Sequence, residues 1–217
     1  MKTTLKRLIG ATCISFSLVF SAQAALTNQD ITIYNQAATG DETQVEPAYE
    51  RFTQLIETEG ATALTLTYLG SIQTLKGRDA WMPWTKMKHV EQGLANIDKG
   101  LSLLTSEITP LSQQASYQGL KENFLTRALG ATTYSTLPDM FNHFERGYEL
   151  FLTLLAEPEF KQQPFPASAW VYYYAVQAAL RADDLPQATQ WLTVMQQQGK
   201  THPKTIAAQM MINGEKS

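Results

Sequence analysis

Cysteine is nearly missing from this chain. Cys13 is the only one in 217 residues, so no internal disulfide can form and no set of thiolates can hold zinc or iron. Histidine is almost as scarce. His89, His143 and His202 are the only imidazoles, no two stand at i, i+4, and no His-Glu-x-x-His run occurs, so a helical zinc site lacks its ligands. Asp139 with His143 is better read as a pair on a helix surface than as half a metal site. Neither a Gly-x-Ser-x-Gly elbow nor a Gly-x-x-x-x-Gly-Lys-Ser/Thr loop occurs, which removes the signatures of elbow hydrolases and P-loop nucleotide enzymes. Positive charge is short too. Seventeen Lys and Arg against 20 Asp and Glu leave a formal charge of −3, the wrong sign for generic nucleic-acid binding. Beyond residue 24 no apolar run reaches the roughly 20 residues that a membrane helix needs.

The first 24 residues carry what the rest lacks. Lys2, Lys6 and Arg7 precede an apolar run from Leu8 to Phe20, and Ala22-Gln23-Ala24 follows with small residues. Basic start, short apolar stretch and small-residue exit make a secretory signal peptide, with cleavage expected after Ala24. Cys13 lies inside it. Gly10, Ala11 and Thr12 before it do not suit lipoprotein processing, so no lipid anchor is expected. Cleavage removes three bases and no acids, taking the formal charge from −3 to −6. The expected location is the periplasm of a Gram-negative type of cell, with secretion as the alternative. Residues 25–217 are of a size for one domain with its own core.

Helical periodicity dominates that domain. Val45, Tyr49, Phe52 and Ile56 fall on one face of a helix ending near Gly60, with Pro47 tolerated in its first turn. Leu66, Leu69, Ile72 and Leu75 mark a second helix over 62–77. Pro83 opens a third carrying Met87, Val90, Leu94, Ile97, Leu101 and Leu104. Further helices are expected near 115–134, 138–156, 167–182, 185–198 and 203–213, separated by prolines, glycines and Asp183-Asp184. No strand of period two stands out. Residues 25–40 fit either extended structure or a short helix on Ile31, Tyr34 and Ala38. Charge is uneven: 41–59 holds six acids and one base, whereas Lys76, Arg78, Lys86, Lys88 and Lys99 outnumber Asp79, Glu91 and Asp98 in the next stretch. That is either two solvated helix faces or a polarised docking surface.

The helices repeat as pairs over about 61–198. Leu69-Gly70 with Gly77, then Gly93 and Gly100, make one pair. Leu129-Gly130 with Gly147 and Phe151 make a second. Tyr172, Ala175 and Ala179, then Ala188, Trp191 and Leu192 make a third. Small residues at such points let two antiparallel helices approach, and stacked pairs bury a core that one pair cannot. This pattern resembles the tetratricopeptide repeat. Glycines stand at 93 and 100 where that family has alanines, and Asp183 replaces its turn glycine. Apparent insertions follow Arg78 (to about Met87) and Leu137 (to His143). The resemblance implies an all-α fold of about three irregular antiparallel hairpins stacked as an α-solenoid.

It also implies a concave groove lined by the first helix of each pair. Carried over by position, the groove would hold Leu64, Thr67, Ser71 and Thr74, then Phe124, Arg127, Ala131 and Tyr134, then Trp170, Tyr173, Gln177 and Arg181. That mixture suits a peptide: aromatic faces for apolar side chains, Arg127 and Arg181 for carboxylates, hydroxyls and amides for backbone. Trp170 and Tyr173 also fit a core role. The segment Arg78, Trp81, Trp84 and Lys86 is a second partner candidate, since two tryptophans beside bases read as an exposed hot spot. The competing and preferred reading folds both tryptophans back as anchors of a long loop. Taken together, these features make a non-catalytic exported adaptor that binds a protein or peptide partner in the cell envelope. No cofactor, metal or nucleic acid is expected, and the last helix pair is a candidate dimer surface. Alternatives are a periplasmic holdase or small-ligand carrier using the same groove, and thirdly an enzyme without recognisable motif.

Overall fold

A computed structural model describes residues 25–106 and 109–215. The expected signal peptide lies outside the described residues. The fold is all-α apart from one very small ribbon, and among the described residues no helix is long and apolar enough to cross a membrane.

Helix α1 (Asn28–Ala38) resolves the ambiguous 25–40 stretch. Thr27 and Asp30 form a reciprocal capping box, and Asp30 also accepts from Arg51 Nε at 2.7 Å. Burial alone would raise the Asp30 pKa. Arg51 and Thr27 outweigh it, so the carboxyl sits below its ordinary value. Ile31, Tyr34 and Ala37 then face the core, which an extended chain could not achieve with that spacing. Helix α2 (Val45–Glu59) buries Val45, Ala48, Phe52 and Leu55. Tyr49 and Ile56, expected on the inner face, flank it half-buried.

Three hairpins follow. Helix α3 (Ala63–Asp79) starts on a Thr62–Thr65 capping box and runs against α4 (Pro83–Ser106). Twelve of its 17 residues are buried, so α3 is a central helix rather than one with a single apolar face. Only Ala80–Met82 separate α3 from α4, so the expected long insertion is a three-residue turn, with Trp84 already inside α4. Helix α5 (Glu122–Thr136) pairs with α6 (Phe144–Ala156). A Cβ on Gly147 would stand 2.6 Å from the Ser135 nitrogen and 2.9 Å from the Ala131 oxygen, which explains the glycine. Helix α8 (Phe165–Arg181) pairs with α9 (Leu185–Gly199) through Asp183, which takes the left-handed conformation (φ 57°) open to Asp and Asn as well as Gly. Asp184 caps α9 by accepting from the Gln187 N–H at 3.0 Å and from the Tyr148 hydroxyl at 2.8 Å.

Successive hairpins touch: α3 and α4 lie against α5, and α5 and α6 against α8. Helix α1 packs on α2 and α3, and α10 (Pro203–Glu215) packs on α8 and α9.

Two details depart from expectation. Helix α5 begins at Glu122 rather than near 115, because a ribbon of β1 (Ser116–Tyr117) and β2 (Leu120–Lys121) precedes it. Its turn residues Gln118 and Gly119 both have positive φ, as a two-residue hairpin turn requires. The 138–156 helix is shortened by a single turn of 3-10 helix at Asp139–Phe141 and a left-handed Asn142, and a short α7 (Pro158–Lys161) follows α6. It seats Phe160 edge-on to Phe124, ring centroids 5.4 Å apart.

Candidate binding groove

Two adjoining cavities lie along α3, α5 and α8. The first, of about 760 Å³, is bounded by α1, α3, the start of α4, the end of α5 and the 137–141 turn. The second, of about 340 Å³, is bounded by α1, the ribbon, α5, the start of α8 and Lys204 of α10. Tyr34, Ala38, Thr132 and Tyr174 line both, so the cavities meet where α1 crosses the helix row.

Their linings differ in chemistry. Ser71, Thr74, Thr133 and Thr136 give the first cavity a wall of hydroxyls, with Leu75, Met87 and Phe141 between them. In the second, Tyr68, Tyr117 and Trp170 supply aromatic surface. The hydroxyls are held inside an apolar fold by local bonds. Ser71 and Thr133 oxygens lie 2.7 Å apart across the α3–α5 joint, Thr133 donates to the Leu129 carbonyl at 3.0 Å, and Thr74 donates to the Ser71 carbonyl at 2.7 Å. Thr132 Oγ1 is the exception, a buried hydroxyl oxygen without a hydrogen-bond partner on a residue that lines both cavities. Burial pushes the Tyr34 and Tyr68 hydroxyls well above their ordinary pKa, so both stay protonated.

Among the described residues no carboxylate lines either cavity, whereas Arg78, Lys86 and Lys204 do. Each cation is tethered. Arg78 is paired with Asp79, Lys86 Nζ donates to the Arg78 carbonyl at 2.8 Å, and Lys204 Nζ lies 4.3 Å from the Tyr173 ring centroid. Such a lining favours a ligand with apolar groups, hydrogen-bonding capacity and negative charge. Among the described residues no three His, Cys, Asp or Glu side chains converge as a metal site would require.

Compared with protein-family models, with curated proteins and with solved structures, the chain matches none. The groove must therefore be read from its own residues.

The sequence-derived groove residues divide sharply. Ser71 and Thr74 line the first cavity and Trp170 the second. Phe124 and Tyr134 are core residues, 1% and 0% exposed, and cannot touch a partner. The cause is that α5 is packed by α3, α4, α6 and α8 together. Tyr134 spends its hydroxyl on Asp98, which also holds Arg146. Leu64, Thr67 and Ala131 are likewise buried, Thr67 against Gly100 of α4 and Ala131 against Gly147 of α6. Arg127 pairs with Glu157 at 2.6 Å, away from the cavities. Arg181 is a bolt: it donates to the Ser135 and Leu137 carbonyls, pairs with Asp139 and lies over the Phe144 ring. Gln177 is exposed but lines neither cavity. Tyr173 turns to Lys204, and its neighbour Tyr174 takes the groove position.

In the second candidate segment, Arg78 and Lys86 line the first cavity. Trp81 and Trp84 do not fold back as anchors. They are 91% and 67% exposed, Trp81 in a turn of only three residues and Trp84 already in the first turn of α4. Tyr34, Thr132, Thr136 and Tyr174 were not anticipated. The run Thr132-Thr133 with Thr136 was the available signal, since hydroxyls are poor helix-interior residues unless a surface uses them.

Proposed function

We propose that this chain is an exported, non-catalytic binding protein of tetratricopeptide type, its three hairpins stacked as a short α-solenoid, working as an adaptor in the cell envelope. The observation that carries this reading is the pair of joined cavities, lined by the first helix of every hairpin and, among the described residues, free of carboxylates. An extended, acidic peptide segment fits that chemistry. Its backbone would bond to the hydroxyls of Ser71, Thr132 and Thr136, an apolar side chain would stack on Trp170 and Tyr174, and its carboxylates would meet Arg78 and Lys204. The basic start, apolar stretch and Ala22-Gln23-Ala24 exit support export to the periplasm. The cavity volumes favour one second reading, a carrier of a small amphipathic anion, because pockets of about 300–1,000 Å³ are typical of small-molecule sites.

A photo-crosslinking residue placed at Tyr174, with one at the exposed Gln209 as control, tests both. A single dominant protein crosslinked from position 174 but not from 209 is the adaptor result. A small molecule retained in native mass spectrometry, displaced by no peptide, is the carrier result. A broad set of unfolded clients from both positions overturns both in favour of a holdase.

A further inference from the structure

The turn between α3 and α4 is unlike the rest of the surface. Trp81 and Trp84 are 91% and 67% exposed, and Met82 between them is 36% exposed. Large aromatic side chains seldom stand free in water without a use, because burying each is favourable by a few kcal/mol. Trp84 and the exposed Lys88 lie one turn apart on the same outer face of α4. At the tip Arg78 is paired with Asp79, and Lys76 with Glu46 at 2.8 Å, which leaves Lys86 and Lys88 without a carboxylate partner among the described residues beside the tryptophans, in a chain whose formal charge is negative. The His89 pKa is lowered by burial first and then by Lys76 and Lys88, against an opposing pull from Glu46.

A projecting tip of this kind fits a bilayer better than a protein pocket. Tryptophan favours the headgroup level, where its ring is apolar and its N–H stays hydrated. Bases beside it are attracted to anionic headgroups, each by about 1 kcal/mol near the surface. From this juxtaposition we propose that the α3–α4 turn docks the protein on an anionic lipid surface, Trp81 and Trp84 entering the headgroup region while Lys86 and Lys88 stay at the phosphates. Pro83, Lys86 and Met87, at the start of α4, border the larger cavity, so docking would hold that cavity's rim at the membrane face.

Co-sedimentation with vesicles tests this directly, using residues 25–217, which contain every described element of the fold. Vesicles of phosphatidylcholine alone and of phosphatidylcholine with about a third phosphatidylglycerol are compared. The expected result is binding to the anionic vesicles that weakens at least fivefold in Lys88→Glu, falls at high salt, and drops tenfold or more in Trp81→Ser/Trp84→Ser. Both tryptophans are exposed, so that variant should keep its melting temperature. Quenching of wild-type tryptophan emission by brominated lipid reads insertion without any substitution. No binding to anionic vesicles, no quenching, or unchanged binding by the double variant overturns the proposal. So does a protein crosslinked from position 81 in the absence of vesicle binding, which would make the tip a protein hot spot.

Discussion

The α3/α4 and α8/α9 hairpins have the same topology and opposite interiors. In α3/α4, Gly70 faces Gly93, Gly77 lies against Val90 and the Lys86 carbonyl, and Gly100 lies against Thr67 and the Ala63 carbonyl, so the backbones nearly touch. A Cβ on Gly70 would stand 2.7 Å from Ile97 Cγ1, and one on Gly77 would stand 2.6 Å from Val90 Cγ2. In α8/α9 the same role falls to Ala175, Ala179 and Ala188, all fully buried, beside Trp191. Helix α3 buries Thr65, Thr67, Ser71, Gln73 and Thr74, while among the polar residues of α8 only Ser168 is buried to that degree. One hairpin is held by distance of approach and satisfied hydroxyls, the other by apolar area. The first arrangement leaves hydroxyls to line the large cavity, and the second leaves aromatics to line the small one. The two ends of the groove thus inherit their chemistry from how their hairpins pack.

Gly93→Ala should break the first arrangement outright. The added Cβ would lie 2.5 Å from the Gly70 carbonyl oxygen and 2.9 Å from Thr74 Cγ2, and a backbone oxygen cannot rotate away. Intrinsic helix propensity runs the other way, favouring alanine by about 1 kcal/mol. Overpacking against a fixed backbone oxygen stands at the high end, about 4 kcal/mol, so the net loss is about 3 kcal/mol, which for a domain of this size lowers the melting temperature by about 6–12 °C. A melting temperature that stays or rises in thermal denaturation would mean that α3 and α4 can part freely, and the distance account would fail.

Ala179→Gly is the mirror experiment and should cost less. It removes one buried methyl, worth about 0.8 kcal/mol, and about 1 kcal/mol of helix propensity. The expected loss is roughly 2 kcal/mol, read as a fall of about 4–8 °C. Swapping alanine and glycine thus destabilises both hairpins in opposite chemical directions. Equal tolerance of glycine at 179 and of alanine at 93 would erase the contrast.

Much of this contrast was legible in the chain itself. The recurring small residues marked the three hairpins, and Gly93 and Gly100 stood out as departures from the alanines of the resembling repeat. Their reason, contact with a facing backbone, needs the partner helix in place. The groove register was harder to read. Successive helix residues point about 100° apart, so the choice between Tyr173 and Tyr174 turns on how α8 is rotated against α5 and α10. Phe124 and Tyr134 were misplaced for the same reason, because α5 is enclosed on more sides than one amphipathic stripe shows. The ribbon at 116–121 escaped notice since two-residue strands have no period, although Gly119 marks its turn. Trp81 and Trp84 misled because aromatic residues are buried more often than not, whereas these stand exposed in the short α3–α4 turn and the first turn of α4.

The smallest expected effect lies where the two halves of the groove meet. Thr132 lines both cavities, and its Oγ1 is buried without a partner. An unsatisfied buried hydroxyl costs about 1–3 kcal/mol that its protein repays only by using it. Thr132→Val keeps the shape and removes the hydroxyl, so stability should hold or rise by up to about 1 kcal/mol. Binding should respond in the other direction. If a groove ligand bonds that hydroxyl, the same variant should weaken the Tyr174-directed crosslink about five- to tenfold, the worth of one hydrogen bond. Thr136→Val, at the exposed rim of the larger cavity, supplies the control for a hydroxyl open to water. A Thr132→Val protein that loses stability but keeps its crosslink would place the hydroxyl in the packing of α5, and the junction between the hydroxyl and aromatic halves would lose its claim to be the centre of the site.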